Sequence, residues 1–284
     1  MSHELTLLAR TPEERAAVEA ALVSDPRWAR TPNGLVYENH DTGVYATVEG
    51  LDDSASAGRD GVVASINYAR PSFFALEVMP QLVAAAQAAD ILVIDPQDDL
   101  VGGSRAAKSA NADELITSWE AGDRATSAAA SRAGADIGTM PRDRAVAWWR
   151  YMREKASLTE RYGKTHYVPG LRLVRRSAAR DVLRVLTWTD WIPLIVPDAD
   201  IVAVIRSQGG TFEIRGYLPF ASVSDTIGGL LRPLAVSDEL EVRILDPSEA
   251  VVVPELFAEA ALEPFTGFAA VAPDGFIDDD VAGA

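Results

Sequence analysis

Apolar and polar positions change period twice between Gly61 and Asp98, and the front of the chain is organised around that stretch. Val62 to Tyr68 is rich in β-branched residues and almost uninterrupted, the pattern of a strand buried on both faces. Pro71 suits the first turn of a helix, where a missing N–H costs nothing, and Phe73, Phe74, Leu76, Val78, Met79, Leu82 and Val83 give that helix a stripe to bury. Ile91 to Ile94 returns to strand character until Asp95-Pro96 stops it. Upstream, Glu4 to Ala9 alternates as a short strand. Thr11-Pro12-Glu13-Glu14 then opens a helix with an N-cap, a first-turn proline and two acids, and Asp25-Pro26 ends it. Leu35 to Tyr37 and Val44 to Val48 read as a hairpin around Asn39 to Gly43. These elements predict β-α-β-β-β-α-β over residues 1–98, an N-terminal α+β sandwich with helices on one sheet face.

Residues 99–111 are rich in Gly, Ser and Ala and read as a linker. Beyond it, residues 112–262 predict a second domain. Ala112 to Arg132 is helical by composition, with a weak apolar face at Leu115, Ile116 and Trp119. A second helix restarts at Thr139-Met140-Pro141-Arg142-Asp143 and is carried to Tyr162-Gly163 by Val146, Trp148, Trp149, Tyr151, Met152 and Leu158, an aromatic set that reads as core. Val168 to Val174, Val182 to Trp188, Ile201 to Ile205, Thr211 to Tyr217 and Leu240 to Leu245 predict a mostly antiparallel sheet. Residues 263–284 read as an irregular acidic tail, since from Asp246 onward there are nine acids and no Lys or Arg. The fold class predicted for the whole chain is α+β.

Composition narrows the function classes. At 284 residues, 48% hydrophobic and 24% charged, the chain has the make-up of a globular protein with a sizeable core. No apolar run approaches the length of a membrane span, and Met-Ser-His-Glu-Leu lacks the start of a secretory signal, which predicts a cytoplasmic protein. With no cysteine there are no disulfides, thiolate ligands or thiol nucleophiles. A net charge of −16 disfavours nucleic acid and anionic membranes as partners. The charge is uneven: Arg142 to Arg184 holds twelve basic residues against four acids. That window reads either as solvated faces or as a groove for an anion, with Arg172, Arg175 and Arg176 as candidate anion-binding residues.

Motifs for specific chemistry are weak. Gly102 to Ser109 resembles a phosphate-cradling loop, but Ala107 stands where a glycine is needed for close backbone approach. Asp41-Thr42-Gly43 matches the aspartic protease triplet in a single copy and reads as a turn. His3, His40 and His166 lack the spacing of a zinc site, and Asp278-Asp279-Asp280 lacks the spaced oxygens of a calcium loop, so neither a metal nor a cofactor is expected. Glu77, in an apolar helix, is the best candidate for a perturbed carboxylate. With Arg70, Asp95 and Gln97 it is expected to form a polar binding cluster near one sheet end.

Asn67 to Glu77, Leu92 to Gln97 and Trp188 to Val202 resemble segments of bacterial toxin-associated immunity proteins of α+β fold, the last as a tryptophan, a proline and then a strand. The resemblance implies a non-catalytic protein that occludes a toxin domain. The expectation is therefore a protein-binding module with a protein partner. The alternatives are an enzyme acting on an anionic small molecule in a cleft between the two halves, and a structural or regulatory assembly subunit.

Overall fold

The computed structural model describes residues 1–51, 61–97, 106–177 and 179–279, and it is α+β. The chain divides into two compact units, Met1–Ile137 with Pro273–Ala284, and Gly138–Ala272.

The first unit contains β1 (Ser2–Leu7), α1 (Pro12–Val23), β2 (Trp28–Thr31), β3 (Gly34–Asn39), β4 (Val44–Glu49), β5 (Val62–Asn67), α2 (Phe73–Ala88), β6 (Val93–Ile94) and α3 (Ala112–Arg132). Its six-stranded sheet has the order β2-β3-β4-β5-β1-β6, with every neighbouring pair antiparallel. The first strand thus sits between β5 and β6, and α2 carries the chain past it. α1 begins as its sequence dictates: Thr11 accepts from the Glu14 N–H, and the Glu14 carboxylate accepts from the Thr11 N–H. β2 was not predicted, because Trp28 is the only buried residue in it.

One expectation about β5 is corrected. Val62, Ala64 and Ile66 are buried, whereas Val63, Ser65 and Asn67 are only half-buried. The strand is covered on one face, as in an antiparallel sheet with helices on one side. Its β-branched run reflects β-propensity on the open face rather than a second layer.

The boundary between the units also differs from the predicted one. β6 pairs on its far side with the segment predicted as linker: the Val93 N–H donates to the Lys108 carbonyl at 2.8 Å, and the Lys108 N–H returns the bond at 3.0 Å. Asn111 then caps α3 by accepting from the N–H groups of Asp113 and Glu114. α3 belongs to the first unit, not the second. Its buried positions include Ser118, Gly122, Asp123 and Ser127 beside Leu115 and Trp119, so small and polar residues bring it close and leave little hydrophobic signal. The predicted irregular tail is likewise partly ordered. A strand at Phe276–Asp278 rejoins the first unit, with the Phe276 ring 6.2 Å from that of Phe73.

The second unit contains β7 (Gly138–Met140), α4 (Arg142–Tyr162), β8 (Arg172–Arg176), β9 (Val182–Thr189), β10 (Leu194–Val196), β11 (Ile201–Gln208), β12 (Thr211–Pro219), α5 (Phe220–Ile227), β13 (Leu231–Ser237), β14 (Leu240–Leu245), α6 (Pro247–Ala250), α7 (Val253–Leu256) and β15 (Phe268–Ala270). A five-stranded sheet, β12-β11-β9-β8-β15, is antiparallel except for the pair β9 and β11. A three-stranded antiparallel sheet, β10-β14-β13, accompanies it. The α4 aromatics are core: the Trp148 indole donates to the Leu171 carbonyl at 3.0 Å, and the Tyr151 hydroxyl donates to that of Pro169 at 2.6 Å.

Gly122 tests how α3 is seated. A Cβ there would stand 2.2 Å from the Tyr68 hydroxyl oxygen, which also contacts His3 Nδ1 at 3.0 Å. Helix propensity alone favours alanine by ~1 kcal/mol, but overpacking a buried contact costs about 1–3 kcal/mol. Because the Tyr68 ring is buried and its hydroxyl engaged, the clash should win. Gly122→Ala is expected to lower stability by about 1–2 kcal/mol in chemical denaturation. An unchanged or raised midpoint would rule out this packing.

Candidate functional site

The four residues expected to form one polar cluster fall into separate networks. Glu77, in the second turn of α2, is tied to β3: its Oε1 accepts from the Tyr37 hydroxyl and the Asn39 amide, each at 2.5 Å, with Arg27 Nη1 at 3.7 Å. That carboxylate fastens helix to sheet. Asp95 and Gln97 stay together, since the Gln97 N–H donates to Asp95 Oδ1 at 2.9 Å. Buried His3 lies with its Nε2 3.4 Å from Asp95 Oδ2. Burial pushes the Asp95 carboxyl up, but His3, Ser118 and the Gln97 N–H outweigh it and hold the group below the usual carboxylate range.

Arg70 belongs to a third network, joined to the second through Tyr68. Ala69 adopts φ 56°, a left-handed conformation that ends the extended run of β5 and turns the following N–H groups onto α3. The Arg70 N–H donates to Asp123 Oδ1 at 3.2 Å, while its guanidinium reaches the Tyr45 hydroxyl at 2.8 Å. The Ser72 N–H donates to Asp278 Oδ2 at 3.2 Å, so the same turn also holds the strand Phe276–Asp278. Asp123 and Asp278 are both only 3% exposed. Burial pushes the Asp123 carboxyl up to about 7 against the N–H groups of Arg70 and Ala69, and the negative charge of Asp278 adds to the rise. Sequence reasoning missed His3, Tyr68, Asp123 and Asp278 as one assembly, because they come from four separated segments.

The candidate anion-binding arginines are not gathered either. Strand alternation directs Arg175 to the face opposite Arg172 and Arg176. Arg172 is exposed, and Arg176 lies over the Tyr217 and Phe268 rings and donates to the Tyr217 hydroxyl at 2.7 Å. Elsewhere in the basic window, buried Arg184 is neutralised by Asp198 at 3.0 Å and Asp200 at 3.1 Å. Among the described residues no group of three or more His, Asp or Glu side chains is placed to hold a metal ion. In the phosphate-loop look-alike, residues 102–105 lie outside the described residues, while Lys108 pairs with Glu114 at 2.8 Å. Asp41-Thr42-Gly43 is a hairpin turn, closed by the Gly43 N–H on the Asn39 carbonyl at 2.7 Å. Of the acidic triplet, Asp278 is buried and Asp280 lies outside the described residues.

A cleft of about 540 Å³ lies in the second unit, beside the turn from β9 to β10. Asp190 and Trp191 take φ 48° and φ 55°, and the Ile192 N–H closes the turn on the Thr189 carbonyl at 3.1 Å. Such conformations cost ~1 kcal/mol or more each for residues other than glycine. The surroundings enforce them: the Asp190 carboxylate accepts from the Ser207 N–H at 3.1 Å, and the Asp190 N–H donates to the Ile205 carbonyl at 2.9 Å. The Trp191 ring is thereby set against Phe257, stacked at 4.7 Å and 8°. Arg206 and Arg215 complete the polar side of the cleft.

No protein-family model matches this chain, and neither a curated protein nor a solved structure does. No helix among the described residues is long and apolar enough to cross a membrane.

The Asp123 network makes stability depend on pH in a defined direction. A carboxyl whose value rises from 3.8 unfolded to about 7 folded binds its proton more tightly in the folded state. Its contribution is therefore most favourable below pH 3.8 and is lost as pH climbs towards about 7. In Asp123→Asn, denaturation midpoints measured across that range should lose this component of the pH slope. An identical slope in both proteins would remove Asp123 as its source.

Proposed function

We propose that this chain is a non-catalytic protein-binding module whose recognition surface lies in the second unit. The observation that carries the reading is the outer half of the β11–β12 hairpin. Past the irregularity at Val204 and Ile205, Phe212 is 71% and Ile214 45% exposed. Ile205 stands directly opposite Ile214 in the register, and alternation brings Phe212 to the same face. β12 is also the edge strand of its sheet. An exposed apolar edge is an aggregation hazard that proteins ordinarily blunt with charge, proline or a bulge. Glu213, Arg215 and the irregularity at Val204 and Ile205 temper that hazard here, and the exposed apolar pair kept among them, Phe212 and Ile214, fits a surface that another polypeptide covers.

The finer reading is an immunity-type protein that acts in the cytoplasm and neutralises a bacterial toxin. Its support is the resemblance at Trp188 to Val202, which includes the cleft turn, and the net charge of −16, which steers a basic partner towards the chain at a distance.

A photo-crosslinking residue at position 212 tests the proposal in the native host. The expected result is one defined protein adduct, with Phe212→Ser/Ile214→Ser weakening capture of the same protein at least about tenfold while stability moves by no more than about 0.5 kcal/mol. No adduct from position 212, together with no partner retained by the intact chain, would overturn the reading. Co-expression with a toxin encoded beside this chain's gene tests the finer one, by whether growth is restored.

A further inference from the structure

We infer that the Trp191 cleft is a docking groove for an acidic, extended segment of a partner protein that carries one apolar or aromatic anchor side chain. The inference rests on the protein-binding reading above and names the chemistry of what is bound.

Three features of the cleft converge on that occupant. The first is the anchor position. Trp191 and Phe257, stacked on one another and only 7% and 9% exposed, form a rigid apolar floor with buried Val204, while Pro254 and Leu262 reach the surface beside it, and the floor exists before any partner arrives because the turn is tied to β11 through Asp190 and Ser207. A rigid apolar floor receives a side chain laid on it without first being ordered, which lowers the entropic cost of binding.

The second is charge. The lining includes Arg206 and Arg215 and no carboxylate, in a chain whose net charge is −16. Arg215 is shared with Glu213 at 3.3 Å, whereas Arg206 has no ion-pair partner among the described residues. The local sign is therefore opposite to that of the chain as a whole. Long-range steering does not favour an acidic ligand here, so its selection must come from contact with these guanidiniums, whose planar forks match carboxylates.

The third is backbone. Among the described residues the outer edge of β12 carries one bridge, Tyr217 to Glu263, where each N–H donates to the other's carbonyl. From Thr211 to Arg215 the strand is an edge, and its outward N–H and C=O groups offer a ladder to an extended chain. A small anion could use the arginines but not that edge. A polypeptide uses both, and this decides between the two kinds of ligand.

Panning a displayed random peptide library on the intact chain tests the inference, followed by affinity measurement of the enriched peptides by fluorescence polarisation. The expected result is enrichment of peptides that combine Asp or Glu with a Phe, Trp or Leu. Arg206→Gln/Arg215→Gln should weaken them at least about tenfold. Added salt should weaken them further, and replacing their acids with Asn and Gln should reproduce the loss. Both arginines are on the surface, so the variant's unchanged denaturation midpoint controls for folding. Enrichment without acidic preference, no enrichment, or affinities indifferent to the double arginine variant would overturn the inference. So would phenylacetate or inorganic phosphate competing at the affinity of the best peptide, which would mark a small-anion site. A partner still crosslinked from position 212 in any of these cases would leave the protein-binding reading standing, so the two failures are distinguishable.

Discussion

The first unit depends on one buried carboxyl meeting one left-handed turn. Asp123 reaches out of α3 to receive the N–H of Arg70, which Ala69 presents only because it sits at φ 56°. Unpaired buried polar groups cost more than most single contacts return. The turn, the helix and the residues behind them therefore stand or fall together. Tyr68 is clamped between His3 and α3, α2 starts immediately after the turn, and Ser72 secures the strand Phe276–Asp278. A chain end remote in sequence is thus held by the same few residues that join β5 to α2.

The second unit uses the same principle on charged groups. Arg184 is buried in its strand, tolerable only because Asp198 and Asp200 surround its guanidinium, with Asp200 also accepting from the Arg184 N–H at 2.8 Å. Much of what reads in the sequence as a basic window is spent on such pairs and on aromatic faces, as with Arg153 over Trp149 and Arg176 over Tyr217 and Phe268. A cationic surface with room beside it lies outside that window, at Arg206 and Arg215. What a positive residue does is set by the carboxylates and rings the fold brings to it, and these come from distant positions.

The legible parts of the fold were those with a local cause. The helix after Thr11 follows from its capping box, α3 and α4 from composition and their flanking signals, and the hairpin strands from alternation around turn residues. The elements missed were short or carried weak signals: β2, with one buried residue, β7, β10 and the closing strand at three residues each, α5 at eight residues, β13 with no fully buried residue, and β15 inside an acidic stretch. Of the candidate site, Arg70, Asp95 and Gln97 were visible as polar residues bounding apolar runs. That Asp95 and Gln97 pair beside His3, that Arg70 turns to Asp123 and Tyr45, and that Glu77 binds β3 was not visible, because it depends on which strands and helices become neighbours.

By itself, the sequence determined the α+β class, most helix positions and the strand-helix-strand of Gly61 to Asp98, all consequences of periodicity and capping within about twenty residues. Tertiary structure alone decided that α3 packs with the first unit, that the closing strand returns there, and that Trp191 is held at φ 55° against Phe257 beside two arginines. The physical reason is common to all three. Each depends on satisfying or desolvating groups contributed by segments far apart in the chain, and no local pattern encodes which of those segments will meet.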